Sequence, residues 1–370
     1  MSKLNTPYSS LKILHHNDKL EVLRGGGQPV PLQVQIIVSD LCNHDCSFCA
    51  YRMSGYSSNQ HFGVEDPITH IVNNNPNRMI PFDKIIEILD DCVAMGVKAI
   101  QYTGGGEPSV HPQWIDILQA TLDRGLELAV VTNGTNMKDG VPELYARAKW
   151  VRISVDAGKA ETYASIRSVP ESYFQRTWNN IHRVVDAKAA AGTDLIIGVG
   201  FVVVKENYGE MLDACLLASV TGVDNLRISA VFTTDEFEYH KDFCNEAKRY
   251  AAEASKTFSK DGFQVFNLYD DRIHDLESQQ PDYEFCGYMH LDTYIGGDQN
   301  VYRCCVTAYN DQGFVGSIKD QSFRSLWESQ EKKDSFDSFD ARTCDRCMFN
   351  EKNRTINYGI VHDPMHVNFI

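Results

Sequence analysis

From Leu32 onward, short apolar runs alternate with longer stretches in which apolar residues recur at helical spacing. The runs are LQVQIIVS (32–39), KAIQYTG (98–104), LELAVVTNG (126–134), KWVRISVDA (149–157), DLIIGVGFVVV (194–204) and DNLRISAVF (224–232). Between them lie PFDKIIEILDDCVAMG (81–96), PQWIDILQATLDRG (112–125), FQRTWNNIHRVVDAKAAAG (174–192) and EMLDACLLASVTG (210–222), each ending in the Gly that suits a helix C-cap. Strand-helix repetition of this kind predicts parallel strands joined by right-handed crossovers, hence an α/β domain. Six such units fall two short of a closed eight-stranded barrel, which predicts a partial (β/α)6 TIM-like barrel. Ligands gather at the C-terminal ends of the strands in such sheets.

The flanks break this pattern. LKILHHNDKLEVLRGG, within residues 1–30, reads as an N-terminal hairpin with His16, Asn17 and Asp18 at the turn. A helical stretch, FEYHKDFCNEAKRYAAEASKTF (237–258), closes the repeat. After it, FQVFNL, MHLDTYIGGDQNVYRC and GFVGSI read as β-hairpins with Gly turns. Boundaries near 30 and 260 divide the chain into 1–30, a barrel at 31–260 and an extension at 261–370. Residues 52–80 form a long polar stretch that is either a lid or substrate-contacting loop or plain disorder.

Composition narrows the classes. A chain of 370 residues, 43% of them apolar, has enough material for one large domain and a smaller one. The net charge is −15 and no window is dense in Lys or Arg, which argues against nucleic acid as a partner. MSKLNTPYSS has no signal-peptide core, and no apolar run reaches membrane-spanning length, so a cytoplasmic protein without a membrane partner is expected. Eleven cysteines in such a chain point to metal or redox chemistry, and seven of them fall into two clusters.

The first cluster is LCNHDCSFCAYR, with Cys42, Cys46 and Cys49 in the loop after the first strand. Three thiolates at short spacing can hold three irons of a 4Fe-4S cube and leave the fourth open. The alternatives are zinc with His44 as fourth ligand, or thiols without metal. C-x3-C-x2-C with Phe48 before the last cysteine, opening an α/β repeat, resembles the radical SAM superfamily. The resemblance implies that S-adenosylmethionine (SAM) chelates the open iron and is cleaved reductively to a 5'-deoxyadenosyl radical. It further implies an electron donor of the flavodoxin or ferredoxin type.

The same resemblance assigns cosubstrate contacts at successive strand ends. TGGGEP matches the family's GGE motif and implies Gly105, Gly106 and Glu107 at the methionine amine. RISVDA implies Ser154 and Asp156 at the ribose, with Asn133 of VTNG as a helper. Arg167 of YASIRS matches an arginine that pairs with the methionine carboxylate, and Gly198 and Gly200 would admit the adenine.

Cys286, Cys304, Cys344 and Cys347 form the second set, two separated anchors and a C-x2-C pair. On the residues alone, four thiolates suit a structural zinc site as well as a filled cluster. C-x17-C around Gly296-Gly297, then GSIKDQSFRSLW and the C-x2-C, resembles the Twitch form of the SPASM-type extension, which implies one auxiliary 4Fe-4S cluster. Cys305 adjoins Cys304 and is an alternative to it as ligand, or a candidate hydrogen-atom donor. Cys92, Cys215 and Cys244 fall in helical stretches and read as core residues.

A filled auxiliary cluster relays electrons without binding substrate. That favours two-electron dehydrogenation of a small alcohol, sugar or cyclitol. Epimerisation, and oxidation or crosslinking of a ribosomally made peptide, use the same machinery. No acid-base residue is singled out, although the 52–80 loop, His362 and His366 are candidates for the pocket wall. A zinc-stabilised binding module predicts colourless protein, whereas two 4Fe-4S clusters predict brown protein with about eight irons.

Overall fold

The structure is a computed structural model that describes residues 6–53, 60–260, 262–278, 280–362, 365–366 and 368. The strands are β1 (Gln33–Ile36), β2 (Val64–Glu65), β3 (Val72–Asn73), β4 (Ala99–Tyr102), β5 (Glu127–Thr132) and β6 (Trp150–Ser154). They continue with β7 (Ile196–Val203), β8 (Asn225–Ala230), β9 (Gln264–Asn267), β10 (Asp292–Ile295), β11 (Asn300–Tyr302) and β12 (Phe314–Ser317). All but the small β2–β3 ribbon join one sheet in the order β12-β11-β10-β1-β4-β5-β6-β7-β8-β9. Neighbours from β10 through β9 are parallel.

The six apolar runs are β1 and β4 through β8. Their outward residues, among them Val34, Ile36, Ile100, Val130, Val151 and Val199, pack under the helices in one core. Side chains alternate across a strand, so Gln35, Gln101, Arg152, Ser154 and Arg227 face the barrel interior. The helices include Phe82–Met95, Trp114–Asp123, Ser172–Ala191 and Met211–Thr221. Gly96 and Gly222 end two of them in the left-handed conformation, each with φ 86°, where a Cβ would be strained.

Three expectations are corrected. FQVFNL is no hairpin: β9 pairs in parallel with β8, so the strand-helix repeat runs past 260. The hairpin of MHLDTYIGGDQNVYRC does form as β10–β11, and β12 of GFVGSI pairs with β11, but β10 lies parallel to β1 and ties the extension into the barrel sheet. The N-terminal hairpin is instead a 3-10 turn, Ser10–His15, and a helix, Asn17–Arg24. Its buried positions are Leu20 and Leu23, three apart on one helical face, packed with Ile13 against Leu291 and Ile356. The stretch 237–258 is likewise broken, into Phe237–His240 and Cys244–Phe258. Cys92, Cys215 and Cys244 are buried core residues, as expected.

Candidate active site

The first cysteine loop leaves β1 and is clamped to the TGGGEP loop after β4. The Gly106 amide donates to the Ser39 carbonyl at 3.1 Å and the Glu107 amide to Leu41 at 2.9 Å. A Cβ on Gly106 would stand 2.2 Å from the Leu41 oxygen, so only glycine permits this approach. Asp40 is sealed beneath the loop by Arg78 at 2.7 Å and by the Tyr309 hydroxyl. Burial pushes its carboxyl up to about 6, against the pull of Arg78. Part of the 52–80 stretch braces the loop: Asn75 accepts from the Cys42 amide at 2.9 Å and donates to its carbonyl at 3.1 Å, while Arg52 holds Asn75 at 2.8 Å. Residues 54–59 lie outside the described residues.

The three thiols receive donors from the surrounding chain: the His44 amide at Cys42 (3.5 Å), Arg167 at Cys46 (3.9 Å) and Arg52 at Cys49 (3.6 Å). Donors aimed at sulfur suit thiolates that carry charge. Burial pushes Cys42 up to about 11 and Cys46 up to about 12, so the positive charge of bound iron is what would deprotonate them. His44 is turned away from the cysteines. Its Nδ1 accepts from Arg167 at 3.3 Å and its Nε2 faces the Thr135 hydroxyl at 3.2 Å, so both ring nitrogens are occupied.

Several predicted cosubstrate contacts make hydrogen bonds within the protein. Glu107 accepts from the Ser109 amide (3.1 Å) and hydroxyl (2.7 Å), the Thr132 hydroxyl (2.6 Å) and the Asn133 amide (2.8 Å). It therefore holds the loop's shape, with Gly105 buried and Gly106 half-buried beside it. Asn133 ties to Asn43 at 2.7 Å and to Thr135. Asp156 and Arg167 form a buried ion pair, with the second Asp156 oxygen accepting from the Val202 amide at 2.7 Å. Arg167 also donates to the Val155 carbonyl at 3.1 Å. Ser154 stays half-buried on the interior wall, and Gly105 lies against Asp40, Phe62 and Ile37. Phe48 packs on Ile166, Val204 and Val231. The methylenes of Arg152 cover Gly200, and Gly198 lies against Asn225.

In the C-terminal extension, Cys286, Cys304, Cys344 and Cys347 line one cavity together with Met289, Val306 and Phe349. Cys304 faces the Thr307 hydroxyl at 3.5 Å; Cys347 receives the Tyr283 hydroxyl at 3.4 Å and the Phe349 amide at 3.3 Å. Burial, then the neighbouring Cys304 and Cys347, push Cys286 up to about 12. Cys305 lines none of that cavity and packs instead on the cluster of Tyr294, Tyr302 and Tyr309. Among the described residues, no group of three or more His, Cys, Asp or Glu is drawn together tightly enough to hold one metal ion. The thiol sets fit iron-sulfur clusters, whose ligands are spread over several irons.

Three interior residues escaped the sequence reading. Asp292, at the start of β10, accepts from Gln35 and Tyr288 through Oδ2, while its buried Oδ1 has no partner. Burial pushes its carboxyl up to about 6. Arg152 and Arg227 face the same interior from β6 and β8. The only signal in the sequence was a charged residue inside each of two apolar runs. His362 and His366 are exposed.

An open three-thiol loop at the strand ends of a parallel partial barrel, with a second cysteine site on an appended hairpin, defines an iron-sulfur enzyme that acts on a bound cosubstrate. The profile of the Radical SAM superfamily matches residues 36–217, and that of SPASM, an iron-sulfur cluster-binding domain, matches residues 286–348. The chain belongs to the radical SAM superfamily and carries a C-terminal SPASM domain. It is 29% identical over 150 residues to a tungsten-containing aldehyde ferredoxin oxidoreductase cofactor-modifying protein of Pyrococcus furiosus, covering 40% of this chain and 42% of that one. It is 24% identical over 304 residues to the antilisterial bacteriocin subtilosin biosynthesis protein AlbA of Bacillus subtilis, covering 81% of this chain and 60% of that one. Both curated relatives are thus matched over less than two thirds of their length. The fold is shared with Streptococcus suis SuiB bound to precursor peptide SuiA, with a TM-score of 0.61 at 15% identity over 91% of this chain and 73% of SuiB.

The radical SAM domain implies a 4Fe-4S cluster with SAM, and the SPASM domain implies auxiliary iron-sulfur binding, which displaces the zinc alternatives. Among the described residues, no helix is long and apolar enough to cross a membrane.

Proposed function

We propose that this radical SAM enzyme carries out a two-electron oxidation of a substrate held in the barrel interior, with the auxiliary cluster as electron acceptor and Asp292 as proton acceptor. When bound, the cluster and SAM supply a 5'-deoxyadenosyl radical that removes hydrogen from a substrate carbon. Cys42, Cys46 and Cys49 would hold that cluster, on a loop bonded to Gly106 and Glu107 of the neighbouring strand end. Cys286, Cys304, Cys344 and Cys347 hold the auxiliary one. The observation that carries the reading is the contrast between the two sites: four thiols on one cavity fill a cluster without outside ligands, whereas the first loop offers three. Asp292 suits proton transfer because one of its carboxylate oxygens is unpartnered and burial holds its acidity near neutral pH.

Dehydrogenation of a small alcohol, sugar or cyclitol is the leading reaction. Oxidation or crosslinking of a peptide is the second reading, supported by the match to the subtilosin biosynthesis protein along 81% of this chain. Epimerisation would give Cys305 the role of hydrogen donor. The electron arrives from a flavodoxin- or ferredoxin-type protein in a reducing cytoplasm.

The test is anaerobic reconstitution with dithionite and SAM. The expected result is brown protein with about eight irons per chain and formation of 5'-deoxyadenosine. Alanine at Cys42, Cys46 and Cys49 together should abolish it. Continued 5'-deoxyadenosine formation by that variant, or zinc in place of iron, would sink the proposal. Among products, loss of two mass units from a cyclitol or sugar supports the first reaction, and the same loss from a peptide supports the second.

A further inference from the structure

Among the described residues, two arginines on the interior wall of the barrel make no ion pair. Arg152 stands on β6 and Arg227 on β8, with only β7 between. The register sets Gly198 beside Arg152 and Gly200 beside Arg227, so the strip of β7 that separates them carries no side chain. A Cβ on Gly200 would lie 3.7 Å from Arg152 Cδ, which shows the Arg152 stem lying across β7.

Among the described residues, neither guanidinium makes a hydrogen bond or an ion pair, and Arg227 Nε is buried without a partner. Arg227 has the Tyr8 ring at 5.8 Å, and Arg152 has the Trp150 ring at 5.5 Å. No described carboxylate of the interior pairs with either arginine: Asp156 is held by Arg167 and the Val202 amide, Asp275 by Arg272 at 2.8 Å, and Asp292 is engaged through Oδ2 by Gln35 and Tyr288 while its Oδ1 has no partner. Burial, then the repulsion of Arg152, push Arg227 down to about 9. Unpaired cations set side by side and half-buried are unfavourable unless an anion joins them, and the planar fork of arginine suits carboxylate and phosphate.

We propose that Arg227 and Arg152 bind an anionic group of the substrate, a carboxylate or a phosphate, inside the barrel. This rests on the reading that the substrate occupies that interior, and it narrows the substrate to an acid or a phosphate ester, or to a peptide with an acidic side chain at the reacting segment.

The test uses reconstituted protein and thermal unfolding at constant ionic strength, with inorganic phosphate or acetate replacing chloride. Phosphate or acetate at about 10 mM should raise the wild-type Tm by about 2–4 °C, and whichever anion gives the larger shift names the group. The shift should vanish in Arg227→Gln and Arg152→Gln. Arg227→Lys, which keeps the charge, should retain part of it. Without added anion, Arg227→Gln should melt at or above wild type, because it removes an unpaired, partly buried charge. No shift with either anion, or an equal shift in both glutamine variants, would overturn the proposal. So would loss of the phosphate shift on saturation with SAM, since the arginines would then serve the cosubstrate. The readout needs no turnover, so failure here is distinct from failure of 5'-deoxyadenosine formation in the same samples.

Discussion

Arg167 touches Asp156, the Val155 carbonyl, His44 and the Cys46 sulfur, so one side chain links the end of β6 to the cysteine loop. Removing one partner of a buried pair strands the other's charge. Arg167→Gln should therefore cost about 3–5 kcal/mol in urea unfolding, and the double variant Arg167→Gln, Asp156→Asn should recover part of that. A loss below about 1 kcal/mol would show that the pair is not structural. The family resemblance singled out Glu107 and Asp156 at strand ends and Arg167, which closes the helix Ala160–Arg167, but said nothing of where their polar atoms would go, because that depends on donors from other elements. Asp292 yields a second expectation. Its carboxyl, at about 6, holds a proton that the unfolded chain has released at its ordinary 3.8. Folded protein binds more protons in that window, so stability falls as pH rises from about 4 to 6 and then levels. Asp40, also near 6, adds to the slope. Asp292→Asn should remove about 1 kcal/mol per pH unit of it between pH 5 and 6, measured by urea midpoints. An unchanged slope would refute the assignment.

The strands were legible as elements because each apolar run is long enough to cross a sheet buried on both faces. The N-terminal segment was not, since Leu20 and Val22 alternate like a strand while the burial that decides the matter is at Leu20 and Leu23, with Val22 exposed. β9 was missed as a barrel strand because its partner is β8, which FQVFNL alone cannot indicate. The glycines of the TGGGEP loop were read as cosubstrate contacts, and their geometry adds a structural demand that separates them. The Cβ of Gly106→Ala would press on backbone, the Leu41 oxygen at 2.2 Å and the Asp40 carbon at 2.5 Å. That of Gly105→Ala would meet only side-chain atoms, at 2.9 Å and beyond. Backbone cannot rotate aside. Gly106→Ala should part the two loops and lower 5'-deoxyadenosine formation tenfold or more, with Gly105→Ala the milder change. Equal effects would mean that the loop-loop approach does not set the cysteine geometry.

At the scale of the whole molecule, the extension is joined to the barrel by β10 lying along β1, so the auxiliary cysteines sit at a fixed position relative to the first loop. Cys286 precedes β10, Cys304 follows β11, and Cys344 and Cys347 precede the helix Asn350–Ile360, whose Ile356 packs against the N-terminal Leu20. The helices Asn17–Arg24 and Asn350–Ile360 thus pack together beside that site. Which of two adjacent cysteines completes the set was undecidable from spacing, because neighbours on a turn differ only in direction. The geometry separates them: Cys304 lines the four-thiol cavity, and Cys305 lies among Tyr294, Tyr302 and Tyr309. If Cys304 is the ligand, Cys304→Ala should bring reconstituted protein from about eight irons to about four, with the first cluster retained and 5'-deoxyadenosine still formed under dithionite. Substrate oxidation should then fail, since the second electron has no acceptor. Cys305→Ala should keep about eight irons; if it loses four instead, the two cysteines exchange roles. If Cys305→Ala keeps its iron and still loses product while 5'-deoxyadenosine forms, hydrogen donation by Cys305 and the epimerase reading gain over dehydrogenation.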